Sequence, residues 1–311
     1  MINFRYHVVS LTAVFLALAI GLVVGTAALN GPVADSLKNR VNALSKSNDQ
    51  LREQVNSMEA QLQREEDFAV EAAPHMLRGS LTGRRVLLVV LPSGQDHVDG
   101  VTEMIRQAGA TITGKIEIQD RFIEPASNVD LLGMAARAAR PTIPDTGLPG
   151  SDGVEKSAAL LASALFDRPE GGSPVTDADR RAVLEDYSEA GYLTVAERVT
   201  ASAEAVVVIS GQPYVDQNAA EKDNSVVKLT EQFDKATLTV VAGSGSSGGN
   251  LVAEVRRDPA LSKTISTVDN ANSPAGQLVT ALALVEQFTT KQAGAYGVGE
   301  GAQSLLPEPP K

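Results

Sequence analysis

A run of 22 residues without a charged side chain, Val8–Leu29, is the feature that most constrains this chain of 311 residues. As an α-helix rising about 1.5 Å per residue it would be about 33 Å long, and the apolar core of a bilayer is about 30 Å thick. Arg5 precedes the run, and the first charge after it is Asp35. Because basic residues stay on the cytoplasmic side, the sequence predicts a membrane anchor with the rest of the chain outside the cytoplasm.

Residues 1–31 are therefore predicted to be a membrane anchor or a signal segment, and the lipid bilayer is their expected partner. A signal peptidase would find small residues at Thr26-Ala27-Ala28. The apolar run is longer than the roughly 7–15 residues usual for a signal peptide, which favours an uncleaved anchor. A buried helix of a soluble protein is the third interpretation.

After the anchor, apolar residues recur at alternating spacings of four and three, the heptad pattern of a coiled coil. The positions are Leu37, Val41, Leu44, Asn48, Leu51, Val55, Met58 and Leu62. β-Branched residues at position a with leucine at position d favour a parallel dimer, and an a-position asparagine such as Asn48 fixes register by pairing with its symmetry mate. We expect a coiled-coil stalk over residues 32–73, ended by Pro74 and Gly79. A single amphipathic helix packed on the domain is the alternative.

The composition excludes several classes of site. Because the chain has no cysteine, it has no disulfide scaffold, CxxC zinc site, iron–sulfur cluster or cysteine nucleophile. With only three histidines and five methionines, the sequence also argues against a rich soft-metal site within one chain. The net charge of -11 argues against a nucleic-acid partner, which requires a basic surface.

Beyond residue 80 the sequence alternates between strand and helix patterns. Strands are predicted at Arg85–Leu91, Thr111–Ile118, Tyr192–Val195, Ala205–Ser210, Thr237–Ala242 and Thr264–Val268. Helices are predicted at Val98–Ala108, Asn128–Ala139, Val154–Leu165, Asp177–Ala190, Ser225–Asp234, Leu251–Arg257 and Ala275–Thr289. Continuous apolar strands such as AVVVI suit a parallel sheet covered by helices on both faces. The fold class expected for residues 80–292 is therefore α/β, a doubly wound, Rossmann-like domain with a mostly parallel sheet.

Two Pro- and Gly-rich breaks separate these elements, Arg140–Gly153 and Arg168–Pro174. Residues 293–311 are also rich in Gly and Pro, and we expect a flexible tail there. The expected organisation is thus an anchor, a stalk, one α/β domain and a tail.

Gly243, Gly245 and Gly248 match the spacing GxGxxG between a predicted strand and a predicted helix, and Asp269 follows about twenty residues later. Backbone N–H groups in such a loop can meet a phosphate at a helix N-terminus. The motif lies near the end of the domain, however, whereas the dinucleotide fingerprint follows the first strand. We find no nearby Lys, Arg or general base that completes a reacting site. We expect a polar strand-to-helix loop, and these four residues are the candidates for binding a cofactor.

Asp96, His97 and Asp99 cluster after the first predicted strand, and their oxygen and imidazole groups are the candidates for holding a divalent metal. Acidic residues also favour the first turn of a helix, and a helix start fits them better. His75 stands beside Met76, a pair able to touch copper, at an expected solvated junction. The sequence contains no P-loop, GxSxG or HExxH motif, and we expect neither an enzyme nor a bound cofactor.

Four stretches carry a resemblance to a known family. The first is the opening Phe4-Arg5-Tyr6-His7-Val8-Val9-Ser10-Leu11 with the apolar run behind it. The others are Thr267-Val268-Asp269-Asn270, Ser273-Pro274-Ala275-Gly276-Gln277 and Gly294-Ala295-Tyr296-Gly297. With the stalk and the RRVLLVV strand between them, they cover nearly the whole chain in order. The chain resembles the actinobacterial copper transporter family.

The resemblance implies a cell-envelope protein of copper efflux and copper resistance, described for the family as a pore-forming outer-membrane protein, with copper as the transported ion. It implies no set of ligand residues. An outer-membrane barrel consists of strands of about ten residues that alternate apolar and polar side chains, a pattern this sequence lacks. We expect a single-helix anchor with an envelope domain, so that any pore comes from oligomerisation or from another protein.

Two other functions stay open. One is an anchored scaffold whose stalk and domain recruit other envelope proteins. The other is a nucleotide- or sugar-phosphate-binding enzyme that uses the loop Gly243–Gly248. The copper sensitivity of a deletion strain distinguishes copper transport from both, and nucleotide binding to the purified chain tests the enzyme.

Overall fold

The structure is a computed structural model that describes residues 4–29, 31–168 and 174–308. The chain divides into two units, Met1–Arg64 and Glu65–Lys311. The described part of the first unit is helical, and the second unit holds the sheet.

The first unit begins with α1 (Phe4–Leu29). Residues Phe4–Ala27 form the one helix in the described part of the chain that is long and apolar enough to cross a membrane. The large apolar side chains of this helix are exposed, for example Leu22 at 69%. A helix that is apolar all round and yet exposed is typical of a membrane span, and a signal segment shares these properties.

The helix α2 (Pro32–Leu77) carries the heptad positions, and its residues up to Arg64 belong to the first unit. The seven apolar heptad side chains are all exposed, from 52% at Val55 to 71% at Leu44. They lie on one stripe of the helix, because heptad positions a and d share a face. Nothing in the described part of the chain covers this stripe.

The predicted end of the stalk helix at Pro74 is wrong, because α2 continues through Pro74 to Leu77. A proline at this position removes a single backbone hydrogen bond, the one to the carbonyl of Val70. Ala73 and Leu77 are fully buried in a core of the second unit, and this packing holds the last turn. Gly79, with φ 74°, follows the helix.

Seven strands form the sheet of the second unit, in the order β3-β2-β1-β4-β5-β6-β7. They are β1 (Arg85–Val90), β2 (Thr111–Ile118), β3 (Leu193–Glu197), β4 (Ala205–Ile209), β5 (Leu238–Ala242), β6 (Ile265–Val268) and β7 (Ala295–Tyr296). All neighbouring pairs are parallel except β2 with β3. The order reverses between β1 and β4, as in doubly wound folds. The predicted Rossmann-like α/β class is therefore confirmed.

Helices cover both faces of this sheet. They are α3 (Val98–Gln107), α4 (Asp120–Ile123), α5 (Asn128–Ala138), α6 (Gly153–Leu165), α7 (Asp177–Glu189), α8 (Ala219–Asp234), α9 (Leu251–Arg257) and α10 (Pro274–Thr290). Short 3-10 turns occupy Pro92–His97, Pro125–Ser127 and Leu261–Lys263.

The strands are buried on both faces because their side chains alternate between two cores. Leu87 and Val89 of β1 belong to a core shared with α5, α6, α7, α8 and α9. Val86, Leu88 and Val90 belong to a second core with the end of α2, α3 and α10. Burial on both sides explains why β1 is a continuous apolar run instead of an alternating one.

The strand β2 and the helix α9 have the predicted bounds, and most other elements differ from prediction by a few residues. Sequence analysis missed α4 and β7. The expected flexible tail differs from the structure, because Ala295–Tyr296 forms the edge strand β7 and Tyr296 is 5% exposed. Of the predicted break at Arg168–Pro174, residues 169–173 lie outside the described part of the chain.

Candidate functional site

The predicted glycine loop connects β5 to α9 at the carboxyl edge of the sheet. The N–H of Gly243 donates to the carbonyl of Val268 at 2.8 Å, and the N–H of Gly245 donates to the carbonyl of Asp269 at 2.5 Å. The carbonyl of Gly243 accepts a hydrogen bond from Ala271 at 2.8 Å. The two amides that would face a phosphate are therefore already bound to the last residue of β6 and to the residue after it.

The three candidate glycines differ in backbone conformation and in the space around them. Only Gly245 has a left-handed backbone, with φ 84°. A Cβ added to Gly243 would lie 2.7 Å from Cγ2 of Val252, so close packing excludes a side chain there. A Cβ added to Gly248 would lie 3.5 Å from Nη2 of Arg257. Arg257 therefore lies beside the loop, where its Nη1 pairs with Glu254 at 2.7 Å.

The carboxylate of Asp269 is buried, with 1% of its side chain exposed, and it is fully engaged within the chain. Its Oδ2 lies 2.9 Å from Nη1 of Arg256. The backbone N–H of Val298 donates to Oδ1 at 2.8 Å, and that of Gly299 donates to Oδ2 at 3.0 Å. In a dinucleotide-binding domain the equivalent acid binds a ribose hydroxyl. Here the carboxylate binds the chain's own C-terminal segment.

Arg256 completes this ion pair, and 7% of its side chain is exposed. Besides Asp269, the guanidinium donates to Oγ1 of Thr267 at 3.0 Å and to the carbonyls of Tyr296 at 2.8 Å and Glu300 at 2.9 Å. The planar guanidinium holds its donors in a fixed fork, so these contacts set its orientation. The ion pair thus joins α9, β6 and the segment after β7.

Gly297 makes the approach of this segment to Asp269 possible. Its φ is 125°, and an added Cβ would lie 2.2 Å from Oδ1 of Asp269. Any other residue would strain the backbone and displace the carboxylate.

The start of α10 packs against the same edge. Ser273 caps the helix, because its Oγ accepts the N–H of Gly276 at 3.2 Å. The side chain of Gln277 lies so close to α3 that a Cβ added to Gly100 would be 2.2 Å from Oε1 of Gln277. Sequence positions 273–277 therefore position α10 against α3.

Tyr296 of β7 is held by Glu286 of α10, since its hydroxyl donates to the buried Glu286 carboxylate. Burial, together with this hydrogen bond, raises the pKa of Tyr296 above its ordinary value. A Cβ added to Gly294 would lie 2.1 Å from Oη of Tyr296. The three C-terminal stretches that carried the family resemblance thus lie along the β6–β7–α10 side of the sheet, and each has a packing or hydrogen-bonding role.

In doubly wound sheets a ligand binds at the carboxyl ends of the strands where the strand order reverses. That point lies between β1 and β4, and the chain itself fills it. The N–H of Leu91 donates to the carbonyl of Ile209 at 2.9 Å. A Cβ added to Gly211 would lie 1.7 Å from the carbonyl oxygen of Ser93. A Cβ added to Gly94 would lie 2.3 Å from the carbonyl oxygen of Ile209. The turn after β1 and the loop after β4 are therefore in direct contact where a ligand would enter.

A polar cavity of about 10 Å³ lies beside this contact, close to the minimum volume that holds one water molecule. Ser210, Tyr214 and Asp223 line it. The Oγ of Ser210 is buried without a hydrogen-bond partner among the described residues. Burial raises the pKa of Tyr214 to about 12 and also raises the pKa of Asp223. The cavity is too small for a nucleotide.

The residues predicted as metal-ligand candidates lie at the start of α3. Asp96 and His97 end the 3-10 turn before the helix, and Asp99 lies in the first helical turn. Asp96 and Asp99 are exposed. Within residues 4–29, 31–168 and 174–308, no three His, Asp or Glu side chains form a group that could hold a metal ion.

A buried lysine that sequence analysis did not single out joins two loops at the carboxyl edge. Lys222 of α8 is 8% exposed, and its Nζ lies 2.6 Å from Asp216 and 3.0 Å from Glu124. The hydrogen bonds from Lys222 lower the pKa of both carboxyl groups. The same hydrogen bonds raise the pKa of Lys222. These contacts tie the turn after β2 to the loop after β4.

Residues 1–307 match the protein family described as "Copper transport outer membrane protein, MctB". The chain belongs to the MctB family. The protein named "Copper transporter MctB" of Mycobacterium tuberculosis (strain ATCC 25618 / H37Rv) is 28% identical over 311 residues, which cover 98% of this chain and 99% of the relative. The protein of that name in Mycobacterium leprae (strain TN) is 28% identical over 315 residues, with coverage of 98% and 99%. The predicted family resemblance is confirmed.

In this MctB-family chain, sequence analysis found Asp269 but not its partners. Arg256 lies 13 residues before Asp269, and Val298 lies 29 residues after it, so no local periodicity connects the three. One signal was present. An acidic residue directly after a buried strand needs a partner for its charge, and Arg256 stands near the end of the preceding predicted helix.

Asp269→Asn should destabilise the sheet unit by about 3–5 kcal/mol, because it leaves the guanidinium of Arg256 buried without its counter-charge. The measurement is urea denaturation of the full chain in detergent. Tyrosine fluorescence reports unfolding, since the chain has no tryptophan.

Asp130→Asn is the matched control, because it makes the same change at an exposed carboxylate in the first turn of α5. It should cost less than about 1 kcal/mol. Equal denaturation midpoints for the two variants would contradict a stabilising role for the ion pair.

Lys222→Met should reduce the pH dependence of stability in acid. The pKa values of Asp216 and Glu124 are lowered in the folded chain. Their contribution to stability is therefore complete above the pKa of an unfolded carboxyl group, about 4. It is lost as the pH falls through the lower pKa values of the folded chain. At about pH 6 the melting temperature of the native chain should therefore exceed that of Lys222→Met. The difference between the two melting temperatures should shrink as the pH falls to about 3.

Lys235→Met is the control for this pH series, because Lys235 forms an exposed pair with Glu231 at 2.8 Å. Exposed pairs contribute little to stability, so its melting curve should follow that of the native chain. A gap for Lys222→Met that stays constant across the pH range would rule out the titration of these carboxylates as its cause.

Proposed function

We propose that this chain exports copper across the cell envelope and thereby confers copper resistance. The support is the family described as copper transport outer membrane proteins and the two mycobacterial relatives named copper transporters. The observation that carries the proposal is the extent of the match, 98% of this chain and 99% of each relative. The apolar helix, the heptad helix and the sheet unit therefore correspond as a whole to proteins of that name.

The proposed location is the envelope, with α1 as an uncleaved anchor and the sheet unit outside the cytoplasm. Support comes from the length and apolar character of Phe4–Ala27 and from Arg5 on its N-terminal side. The family description names the outer membrane. Separation of inner and outer membranes, followed by immunodetection of the chain, decides which membrane holds α1.

A route for copper requires more than one polypeptide segment in the membrane. The described part of the chain offers one helix able to span the bilayer, and one helix encloses no channel. We therefore propose that the ion passes between several copies of α1, or through another envelope protein that this chain serves. The net charge of -11 raises the local concentration of cations at the protein surface.

The proposed means of bringing copies together is a parallel coiled coil formed by α2. Its seven apolar heptad side chains are exposed within one chain, and a second copy in the same register would bury them in knobs-into-holes packing. Asn48 is the polar a-position residue that favours two strands in register. A parallel dimer also places the two copies of α1 at the same end of the coiled coil.

The geometry argues against the nucleotide-binding alternative. The amides of Gly243 and Gly245 donate to β6 and to Asp269, and the Asp269 carboxylate is engaged by Arg256. The point where the strand order reverses is closed by Gly211 and Ser93. No comparable observation favours the scaffold alternative, and the copper experiment separates it from transport.

A strain that lacks this chain should accumulate copper and stop growing at a lower copper concentration than its parent. Cell copper is measured by mass spectrometry, and growth is measured over a copper series. The full chain should restore both properties, whereas a variant without residues 4–29 should restore neither, because it lacks the anchor.

Zinc tolerance of the same strains is the control, and it should not change. Equal copper content and equal growth of the parent and the deletion strain would contradict copper export. Envelope defects without a copper phenotype would support the scaffold.

Asn48→Leu should raise the thermal stability of the stalk and broaden its oligomer distribution, because a buried asparagine costs stability while it fixes register. The mass distribution of the full chain in detergent is measured by analytical ultracentrifugation. Asn56→Leu, outside the a and d positions, is the matched control and should stay a dimer. A native chain that remains monomeric at high concentration would refute the coiled coil.

A further inference from the structure

The composition leaves few groups able to bind monovalent copper. Soft thioether sulfur and imidazole nitrogen suit Cu(I), and carboxylates suit harder ions. This chain has no cysteine, three histidines and five methionines. A copper contact made by this chain through soft ligands must therefore use methionine or histidine.

Most of these side chains are in places that a soluble ion does not reach. Met104 and Met134 are 4% and 5% exposed in the cores of the sheet unit. His97 is partly buried at the start of α3. His7 lies within the apolar helix α1, and Met58 occupies a heptad position of α2 that the proposed dimer covers. Met1 lies outside the described residues.

His75 and Met76 are different, because they are adjacent and both exposed. They lie in the last turn of α2, where Met76 is 44% exposed and His75 is also exposed. No hydrogen bond or ion pair engages the His75 side chain in the described part of the chain. Because methionine is unbranched and flexible, its sulfur can take several positions at this helix end.

The local charges around this pair favour a cation. The C-terminal end of a helix carries partial negative charge from unpaired carbonyls, and α2 ends at Leu77. Pro74 has no N–H, so the carbonyl of Val70 lacks its helical donor. Glu71 lies one turn before His75 on the same helix face, and its carboxylate is exposed. Arg78, which carries the opposite charge, is also exposed.

We propose that His75 and Met76 form a surface contact site for Cu(I), with the imidazole nitrogen and the thioether sulfur as ligands and the ion as transported substrate. The proposal rests on the copper export proposed above and names the residues that would meet the ion. A site with two protein ligands at an exposed helix end leaves coordination positions open. It therefore suits transient transfer better than storage.

The test is anaerobic titration of the full chain in detergent with Cu(I), supplied as its acetonitrile complex in the presence of a colorimetric chelator of known affinity. X-ray absorption of the loaded chain then identifies the ligand atoms. We expect saturable binding with both nitrogen and sulfur neighbours, and in a chain without cysteine the sulfur must belong to methionine. His75→Ala and Met76→Leu should each weaken binding by about tenfold or more. Met76→Leu should also remove the sulfur neighbour.

His97→Ala and Met58→Leu are the matched controls and should leave the affinity unchanged. Both test positions are exposed, so circular dichroism should show an unaltered fold. Absence of saturable binding, or binding that is insensitive to His75→Ala and Met76→Leu, would overturn the proposed site. A deletion strain with normal copper tolerance, despite binding that depends on His75, would overturn copper export and leave the site standing.

Discussion

The ion pair between Asp269 and Arg256 is the interaction on which the second half of the sheet unit depends. A buried charge is tolerated only when it is paired and hydrogen-bonded, and Asp269 satisfies this through one guanidinium and two backbone amides. Because those amides belong to residues 298–299, the carboxylate holds the C-terminal segment beside β6. The guanidinium of Arg256 also donates hydrogen bonds to the carbonyls of Tyr296 and Glu300 in this segment. The edge strand β7 is only two residues long, and it keeps its place because the residues after it are fixed.

The same interaction decides what the carboxyl edge of this Rossmann-like sheet can do. In a dinucleotide-binding domain the glycine loop, the acid and the point of strand reversal remain available to a ligand. Here the amides of Gly243 and Gly245 donate to the end of β6 and to Asp269. The Asp269 carboxylate pairs with Arg256, and Gly211 packs on Ser93. The fold is retained while its usual ligand positions serve internal contacts. Fold and function are separable in this way, and the proposed copper contact lies instead at the end of α2.

Sequence patterns predicted the parts of the structure that depend on neighbouring residues. The continuous apolar run of β1 and the bounds of α9 depend on burial and on local patterning, and the sequence predicts both. Contacts across long separations were not recognised, because Asp269 meets Arg256 and Gly299 only after folding. Pro74 misled the prediction of the helix end, since a local rule against proline was outweighed by the burial of Leu77. The short strand β7 has too few residues to show periodicity.

The dependence of Asp269 on residues 298–299 has a consequence for the order in which the molecule is made. A ribosome has synthesised all seven strands before the backbone amides of Val298 and Gly299, which satisfy this carboxylate, exist. Parallel sheets fold slowly because their contacts join distant residues. The sheet unit therefore cannot reach its final state while its last residues are still missing.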